Sequence, residues 1–402
     1  MPETPPIRLR LAEVRLERFK AAFKTTKPIT FRPFNVIIGR NGAGKSTVLE
    51  ALQWIDTALR SDVIQACRRY NGVHDVINHQ ATGSERHFKV SLKWACDSEE
   101  GSTVDYSLRI GEADDHRTPV IANEELSLSL QSDQPNLIIT TDKGVRTLRS
   151  MRKKEPVPFT YREKLLLGTA LARDATDSTV PYLLALGKFW SEAVFLRLTP
   201  SELAMSGAPS RPSYAPLLDE SGSTLPALLS ELSRAQRVEL IHAIQRALPD
   251  FSEVDVSQPI IPKGEVYYSL TEMMPSRGRT GRKKVAIPAV MLSEGTRRIT
   301  AILSLLQHEP PPTFLCIEEI ENGLDPWNVK AVLRELQSAS DRGVQVAVTT
   351  HSPWLLDHVK VADIIHVERQ EGKTIYSQFA DSEAVKAYQG RVPPGAIYAT
   401  EG

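Results

Sequence analysis

The sequence predicts an α/β fold. Its parts are a parallel sheet carrying a glycine-rich loop, an antiparallel sheet near the N-terminus and an inserted, mainly helical subdomain. Three observations point there. A mostly apolar run, Phe34-Asn35-Val36-Ile37-Ile38, opens into a glycine-rich stretch and then a helical pattern. Two short apolar runs, Phe314–Ile317 and Val344–Val348, each feed a charged or polar turn, as parallel strands of a doubly wound sheet do, with ligands gathering at their carboxyl ends. Between these ends the apolar period is first two and later that of a helix.

The elements follow in chain order. Residues 10–38 alternate and then run apolar, which predicts antiparallel strands leading into a buried one. After the glycine-rich turn, Val48, Leu49, Leu52, Ile55 and Leu59 fall at helical spacing and form a buried stripe. Residues 86–97, 104–110 and 124–130 alternate apolar with polar, the pattern of a half-exposed antiparallel sheet. From about 160 to 250 the period becomes helical, first at Leu165, Leu166, Leu167, Ala170 and Leu171, then at Leu225, Leu228, Leu229 and Leu232. The Pro-, Gly- and Ser-rich stretch 206–224 predicts a loop, and residues 275–284 a basic loop with glycine breakers. Asp325 is placed to N-cap a helix with Pro326 at its first position and Val329, Val332, Leu333 and Leu336 on one face. There is no repeat of 20–50 residues and no heptad array. The expected division is 1–150, an inserted subdomain 151–285, and 286–402.

Composition excludes several classes. The 402 residues hold 49 Lys+Arg and 49 Asp+Glu, for a net charge of zero. That is neither a polycation that coats nucleic acid nor an acidic disordered tail. Hydrophobic residues at 41% and charged ones at 24% are ordinary for a globular chain. Cys67, Cys96 and Cys316 are far apart and form no CxxC pair, so neither a disulfide framework nor a zinc finger is expected. The opening MPETPPIRLRLAEV has no long apolar run or small-residue cleavage site. No window reaches about 18 uncharged apolar residues, so a cytoplasmic protein is expected.

The strongest chemical signal is Gly39-Arg40-Asn41-Gly42-Ala43-Gly44-Lys45-Ser46-Thr47, which fits G-x-x-x-x-G-K-[ST] between an apolar strand and an amphipathic helix. Glycines let the backbone wrap phosphates, and the amides and helix N-terminus point partial positive charge at them. Lys45 would reach the β- and γ-phosphates of ATP, and the Ser46 hydroxyl would bind Mg²⁺. The strand Phe314–Ile317 delivers Glu318 and Glu319, adjacent carboxylates that a buried strand does not otherwise need. Beside Mg-ATP, Glu318 would hold Mg²⁺, directly or through water, and Glu319 would orient or deprotonate the attacking water. Thr349-Thr350-His351-Ser352 ends the next strand, where His351 would contact the γ-phosphate. Leu292-Ser293-Glu294-Gly295-Thr296, before an apolar helix, is either a further anion site or simply a helix cap.

In this order, a phosphate loop, then LSEGTRR, then FLCIEEIENGLDP, then VAVTTHSPWLLD, the chain resembles the ABC-type ATPases. It is most similar to their RecF/SMC/OLD-related group, the AAA_21-type ATPases, and the opening LAEVRLERFKAAF looks like this family too. The resemblance implies an ABC-type ATPase head that uses ATP and Mg²⁺. Ser293 and Gly295 would bind the γ-phosphate of the opposite subunit across a dimer, Asn322–Asp325 would be the D-loop and His351 the switch histidine. Many relatives have Asp where this chain has Glu318. The family's Q-loop glutamine, a Mg²⁺ ligand, has three candidates, of which Gln80 is preferred over Gln53 and Gln65.

The arrangement narrows the function. The 247 residues between Lys45 and Ser293 are too many for a transporter ATPase, whose signature usually reads SGGQ, and SMC-type arms need heptads. The 51 residues after His351 are too few for the TOPRIM nuclease domain of OLD proteins, so any nuclease is expected on a separate protein. Charge is uneven: residues 1–60 have 11 Lys/Arg against 5 Asp/Glu, and residues 311–402 have 8 against 13. Arg146, Arg149, Arg152, Lys153, Lys154, Arg277, Arg279, Arg282, Lys283 and Lys284 are candidate DNA or RNA phosphate contacts. The expected function is an ATP-hydrolysing switch that pairs head to head around nucleotide. It would act on DNA or on a separate effector, a nuclease or toxin, as in bacterial phage-defence ATPases that the chain resembles. The alternatives are a slow-turnover scaffold holding an effector inactive and a RecF-like DNA-repair loader.

Overall fold

A computed structural model describes residues 7–81, 86–98, 101–130, 137–142, 145–150, 154–157, 165, 180–212, 215–258, 264–275, 282–388 and 390–401. The chain forms two compact units, residues 1–190 with 361–389, and residues 191–360 with 390–401.

The first unit is built on a nine-stranded sheet. In chain order its first strands are β1 (Leu9–Phe19), β2 (Ala22–Lys24), β3 (Ile29–Thr30), β4 (Phe34–Gly39), β5 (His87–Cys96), β6 (Thr103–Glu112), β7 (Pro119–Ser129), β8 (Leu137–Asp142), β9 (Val145–Ser150) and β10 (Lys154–Val157). All but β4 belong to this antiparallel sheet, in the order β10-β9-β8-β7-β6-β5-β1-β2 with β3 on β1. The period-two pattern has its expected result in β5, where Phe88, Val90, Leu92, Trp94 and Cys96 are buried and the residues between them are half-exposed. The helix Lys45–Arg60 packs on the apolar face. Its Trp54 meets Phe88 edge to face at 5.1 Å, and Phe88 meets Phe19 at 5.2 Å. The same helix buries Asp56, bonded to Arg60 at 2.9 Å; burial pushes its carboxyl up to about 6 against the opposing pull of Arg60.

The second unit begins with β11 (Val194–Leu196). It adds an antiparallel sheet of β12 (Phe251–Ser257), β13 (Tyr267–Pro275) and β14 (Arg282–Pro288), then β15 (Phe314–Ile317) and β16 (Gln345–Thr350). The expected parallel pairing of the last two holds, Phe314 opposite Gln345 and Ile317 opposite Val348, and β11 joins on the other edge of β15. The helix Pro326–Asp341 starts as the sequence indicates. The Asp325 carboxylate accepts from the amides of Trp327 and Asn328, and Val329, Val332, Leu333 and Leu336 are buried. The helix Glu294–Gln307 is buried almost all round, Arg298 included.

Two details depart from the sequence reading. The segment 151–285 contains the helices Val180–Ser191, Leu225–Glu231 and Arg234–Gln245, but also the sheet β12–β14. Leu166, Leu167, Ala170 and Leu171 lie outside the described residues. The basic loop expected over 275–284 is strand at both ends, and Arg282 and Lys284 are paired with Asp250 and Glu253. Arg277, Arg279, Arg152 and Lys153 lie outside the described residues.

The chain then returns to the first unit with β17 (Ile364–Gln370) and β18 (Lys373–Gln378). β17 runs parallel to β4, with Val367 opposite Gly39, and folds back into β18. The three cysteines are free and buried. Among the described residues no helix is long and apolar enough to cross a membrane.

Candidate functional site

In the first unit, fully buried β4 carries the chain into Gly39. A Cβ there would lie 2.1 Å from the Val367 carbonyl oxygen, so the close pairing with β17 requires glycine. Ala43 N–H donates to Arg40 O at 3.2 Å and closes the loop. Gly44 has φ 105°, and a Cβ on it would meet Thr374 Oγ1 at 2.8 Å. Gly44 is the N-cap of the helix Lys45–Arg60 and makes no side-chain cap bond; the N-terminus of this helix points its partial positive charge at the loop. Lys45 is buried at 7% exposure, and its Nζ donates to Gly39 O at 2.8 Å and Arg40 O at 3.1 Å. An ammonium held at this place can also meet an anionic phosphate in a charge-assisted bond. Ser46 and Thr47 occupy the same first turn. Arg40, Asn41 and Gly42 are exposed on the loop. The cradle therefore fits a triphosphate.

The loop is held from a distance of more than 300 residues along the chain. Thr374 Oγ1 on β18 donates to Ala43 O and Tyr376 Oη to Gly44 O, both at 2.9 Å. Tyr376 also bonds the Thr47 side chain. Burial, then nearby Glu50, pushes its phenol far above its ordinary value, so it stays a donor. Nothing in the sequence around Thr374 and Tyr376 marks them; only the fold brings them to the loop. Tyr376→Phe, which removes the hydroxyl alone, is expected to raise the Kd for ATP roughly tenfold by unpairing a loop carbonyl. Isothermal titration would check this, and an unchanged Kd would show the contact to be dispensable. Gln80 is exposed beside Gly372 in the β17–β18 turn, and its backbone N–H donates to Asn78 Oδ1 at 2.9 Å.

In the second unit β15 ends at Ile317, and Glu318 N–H donates to Leu196 O at 2.9 Å. Glu319 has φ 49°, a left-handed conformation that is uncommon outside glycine. Its amide donates to Thr349 Oγ1 at 2.8 Å, and its carbonyl accepts from Asn322 N–H at 3.0 Å. The Glu319 carboxylate accepts a hydrogen bond from the Asn322 amide and has His351 Nε2 at 3.5 Å. His351 N–H donates to the Glu321 carboxylate. Glu318, Glu319 and Asn322 share a cleft of about 650 Å³ with Arg197, Arg298 and Asp219. Within this unit the structure thus brings together Glu318, Glu319 and His351, the proposed base and its neighbours.

The Ser293 segment adjoins the same turn. Ser293 is exposed and N-caps its helix by accepting from Thr296 N–H at 3.1 Å, so the helix-cap reading is correct as far as it goes. A Cβ on Gly295 would stand 2.6 Å from Gly323 O, and Gly323, at φ 68°, packs on Glu294. Glu294 and Gly295, directly after Ser293, therefore lie against the segment Asn322–Asp325. Among the described residues no group of three or more His, Cys, Asp or Glu side chains is placed to hold a metal ion by itself.

Family models match two segments: residues 13–155 an AAA domain, and residues 219–357 a second AAA domain described as putative AbiEii toxin, Type IV TA system. A search of curated proteins finds no match. Among solved structures, the chain is similar to an Smc head bound to the C-winged helix domain of ScpA, with TM-score 0.54, 16% identity, and 91% of this chain and 97% of that one covered. It is also similar to the Smc head domain with an extended coiled coil bound to the C-terminal domain of ScpA, from Pyrococcus furiosus, with TM-score 0.53, 14% identity and coverage of 92% and 96%. A third is the Smc head domain with a coiled coil and joint from Pyrococcus yayanosii, with TM-score 0.53, 12% identity and coverage of 92% and 97%. At these identities the likeness is one of fold.

Proposed function

We propose that this chain, an ABC-type ATPase head of the SMC/RecF-like kind, binds and hydrolyses ATP as a switch that closes and opens a head-to-head dimer. The observation that carries the reading is the cradle Gly39–Thr47: a loop that leads straight into a helix N-terminus, Gly39 and Gly44 at positions that tolerate no Cβ, and a buried Lys45 donating to backbone carbonyls. Gly39 to Thr47 hold the phosphates. Ser46, Glu318 and Gln80 would hold Mg²⁺, which would supply charge neutralisation on the phosphates. Glu319 accepts a proton from the water that attacks the γ-phosphorus, the bond to the bridging oxygen breaks, and ADP leaves with its electron pair. His351, next to Glu319, contacts the transferred group.

Ser293 and Gly295 are assigned to the partner's γ-phosphate. Ser293 is exposed for that contact. Val290 and Met291, just before it, and Trp327, just after Asp325, are exposed at 70%, 75% and 79%, which supports a covering partner on this face. Differential binding of ATP to the closed pair is what a nucleotide switch requires. The output is assigned to a separate effector, a nuclease or toxin, or to DNA. The matched model described as a putative AbiEii toxin of a type IV toxin–antitoxin system supports the effector setting, and phage defence is the proposed context. Phosphate release measured with and without DNA tests the reading. Steady turnover supports the switch. DNA-stimulated turnover with no effector favours the repair loader, and binding without turnover favours the scaffold.

A further inference from the structure

Arg298 is the most buried cation among the described residues, at 3% exposure. It lies five residues past Ser293, on the core side of the helix Glu294–Gln307. Among the described residues no carboxylate is within ion-pair distance of it. Instead its guanidinium donates to three backbone carbonyls: Nη2 to Glu319 O at 3.0 Å and to Glu318 O at 3.2 Å, and Nη1 to Leu198 O at 3.4 Å. Its Nε is buried without a partner. Burial holds Arg298 below its ordinary value, while Glu294, Glu319 and Glu321 act in the opposite sense. A guanidinium does not give up its proton, so a full charge is kept in the interior.

The carbonyls it meets are distinctive. β15 ends at Ile317, so those of Glu318 and Glu319 lie past the end of the β15 strand. Glu319 is also in the left-handed region, where a residue with a Cβ persists only if its surroundings impose it. Three contacts impose it: Thr349 on the Glu319 amide, and Arg298 and the Asn322 amide on its carbonyl. With Arg298 removed, the Glu319 carbonyl loses its charged donor. The peptide is then free to relax toward negative φ, which swings the carboxylate away from Asn322 and His351.

We infer that Arg298 is a positioning residue: it holds the left-handed turn that aims the Glu319 carboxylate, and it ties that turn to the helix that begins at Ser293. The inference rests on the ATPase reading above and deepens it. Arg298 gives its hydrogen bonds to backbone carbonyls. It acts through Glu319 alone, while ATP binding belongs to Gly39–Thr47.

Two variants test it, Arg298→Met, which keeps length without donors, and Arg298→Lys, which keeps the charge and one donor point. The Met variant is expected to bind ATP with a Kd within about twofold of wild type and to lose roughly 100-fold in kcat, the usual cost of a catalytic group displaced by about 1 Å. The Lys variant should recover part of that loss. Hydrogen exchange gives a readout apart from turnover: the Asn322 amide, bonded to Glu319 O, should exchange faster in the Met variant, while the amides of β16 stay unchanged. Combined with Glu319→Gln, Arg298→Met should slow the residual turnover no further, because both act on one element. A Met variant with wild-type kcat, or losses that multiply in the double variant, overturns the inference. If the Met variant does not fold, the Lys variant decides: lowered kcat at unchanged Kd supports the role, and wild-type kcat removes it. Wild-type protein that hydrolyses ATP and stops in Glu319→Gln keeps the ATPase reading whatever Arg298 does. Wild-type protein without turnover removes both.

Discussion

Replacing Lys45 with alanine is expected to abolish ATP binding at ordinary nucleotide concentrations. Lys45 lies at the base of the cradle, buried at 7% exposure with Gly39 O and Arg40 O on its Nζ. Both of these partners are neutral backbone carbonyls. When phosphate arrives, the ammonium gains a charge-assisted contact in a site largely closed to water. Removing one partner of such a pair costs about 3 kcal/mol, and Kd should rise by roughly 100-fold or more. The fold should survive, because the loop keeps its glycine geometry and its bonds to Thr374 and Tyr376. Titration calorimetry with ATP, paired with a melting curve, checks both halves. A variant that melts like wild type and still binds ATP with unchanged Kd would remove the cradle from the account.

The second large effect is expected at Glu319. Glu319→Gln keeps the side chain's size and its ability to accept from Asn322, but it cannot take a proton from water. Turnover should fall by about 100- to 1,000-fold, the contribution of a placed general base. ATP affinity should hold or tighten, since the phosphate loop is unaltered and the state that hydrolysis normally empties now persists. The protein should therefore accumulate with ATP bound. Phosphate release under saturating ATP measures the first effect, and retention of labelled ATP on a desalting column the second. Unchanged turnover in Glu319→Gln would move the proton acceptor elsewhere.

The parts of the site that were legible in the sequence are those whose chemistry is local. Gly39–Thr47 is recognisable because a tight turn between a buried strand and a helix demands glycine where the backbone is crowded or left-handed, as at Gly39 and Gly44. Asp325-Pro326 announces a helix start for an equally local reason, and the structure has the cap as expected. Ser293 carries two signals at once: its hydroxyl caps its own helix, and that use alone would hide any role toward a partner.

The parts that were not legible depend on tertiary contact. Thr374 and Tyr376 are ordinary polar residues of an alternating hairpin, and nothing nearby says that their hydroxyls end on Ala43 and Gly44. Arg297 and Arg298 look alike in sequence, yet one is half-buried and the other sits at 3% exposure on the Glu318 and Glu319 carbonyls. The left-handed backbone of Glu319 leaves no trace either, because sequence signals for that conformation come from glycine and asparagine. The sheet β12–β14 was missed because the strong helical period of Leu225–Leu232 coloured the whole segment. The even charge balance has a similar lesson. Arg282 and Lys284, counted among free basic residues, are engaged with Asp250 and Glu253, so the strand end that carries them is closer to neutral than its composition suggests.

The central claim is that ATP closes two copies of this chain on each other and that hydrolysis parts them. It is tested most directly by the solution mass of the Glu319→Gln protein, measured by light scattering with Mg-ATP, with Mg-ADP and without nucleotide. The account predicts the 44.7 kDa monomer mass without nucleotide and with ADP, and twice that mass with ATP. The shift should vanish when Ser293→Arg is added to obstruct the contact with the partner's phosphate. A mass that is the same under all three conditions, in a protein shown to hold ATP, would contradict the account.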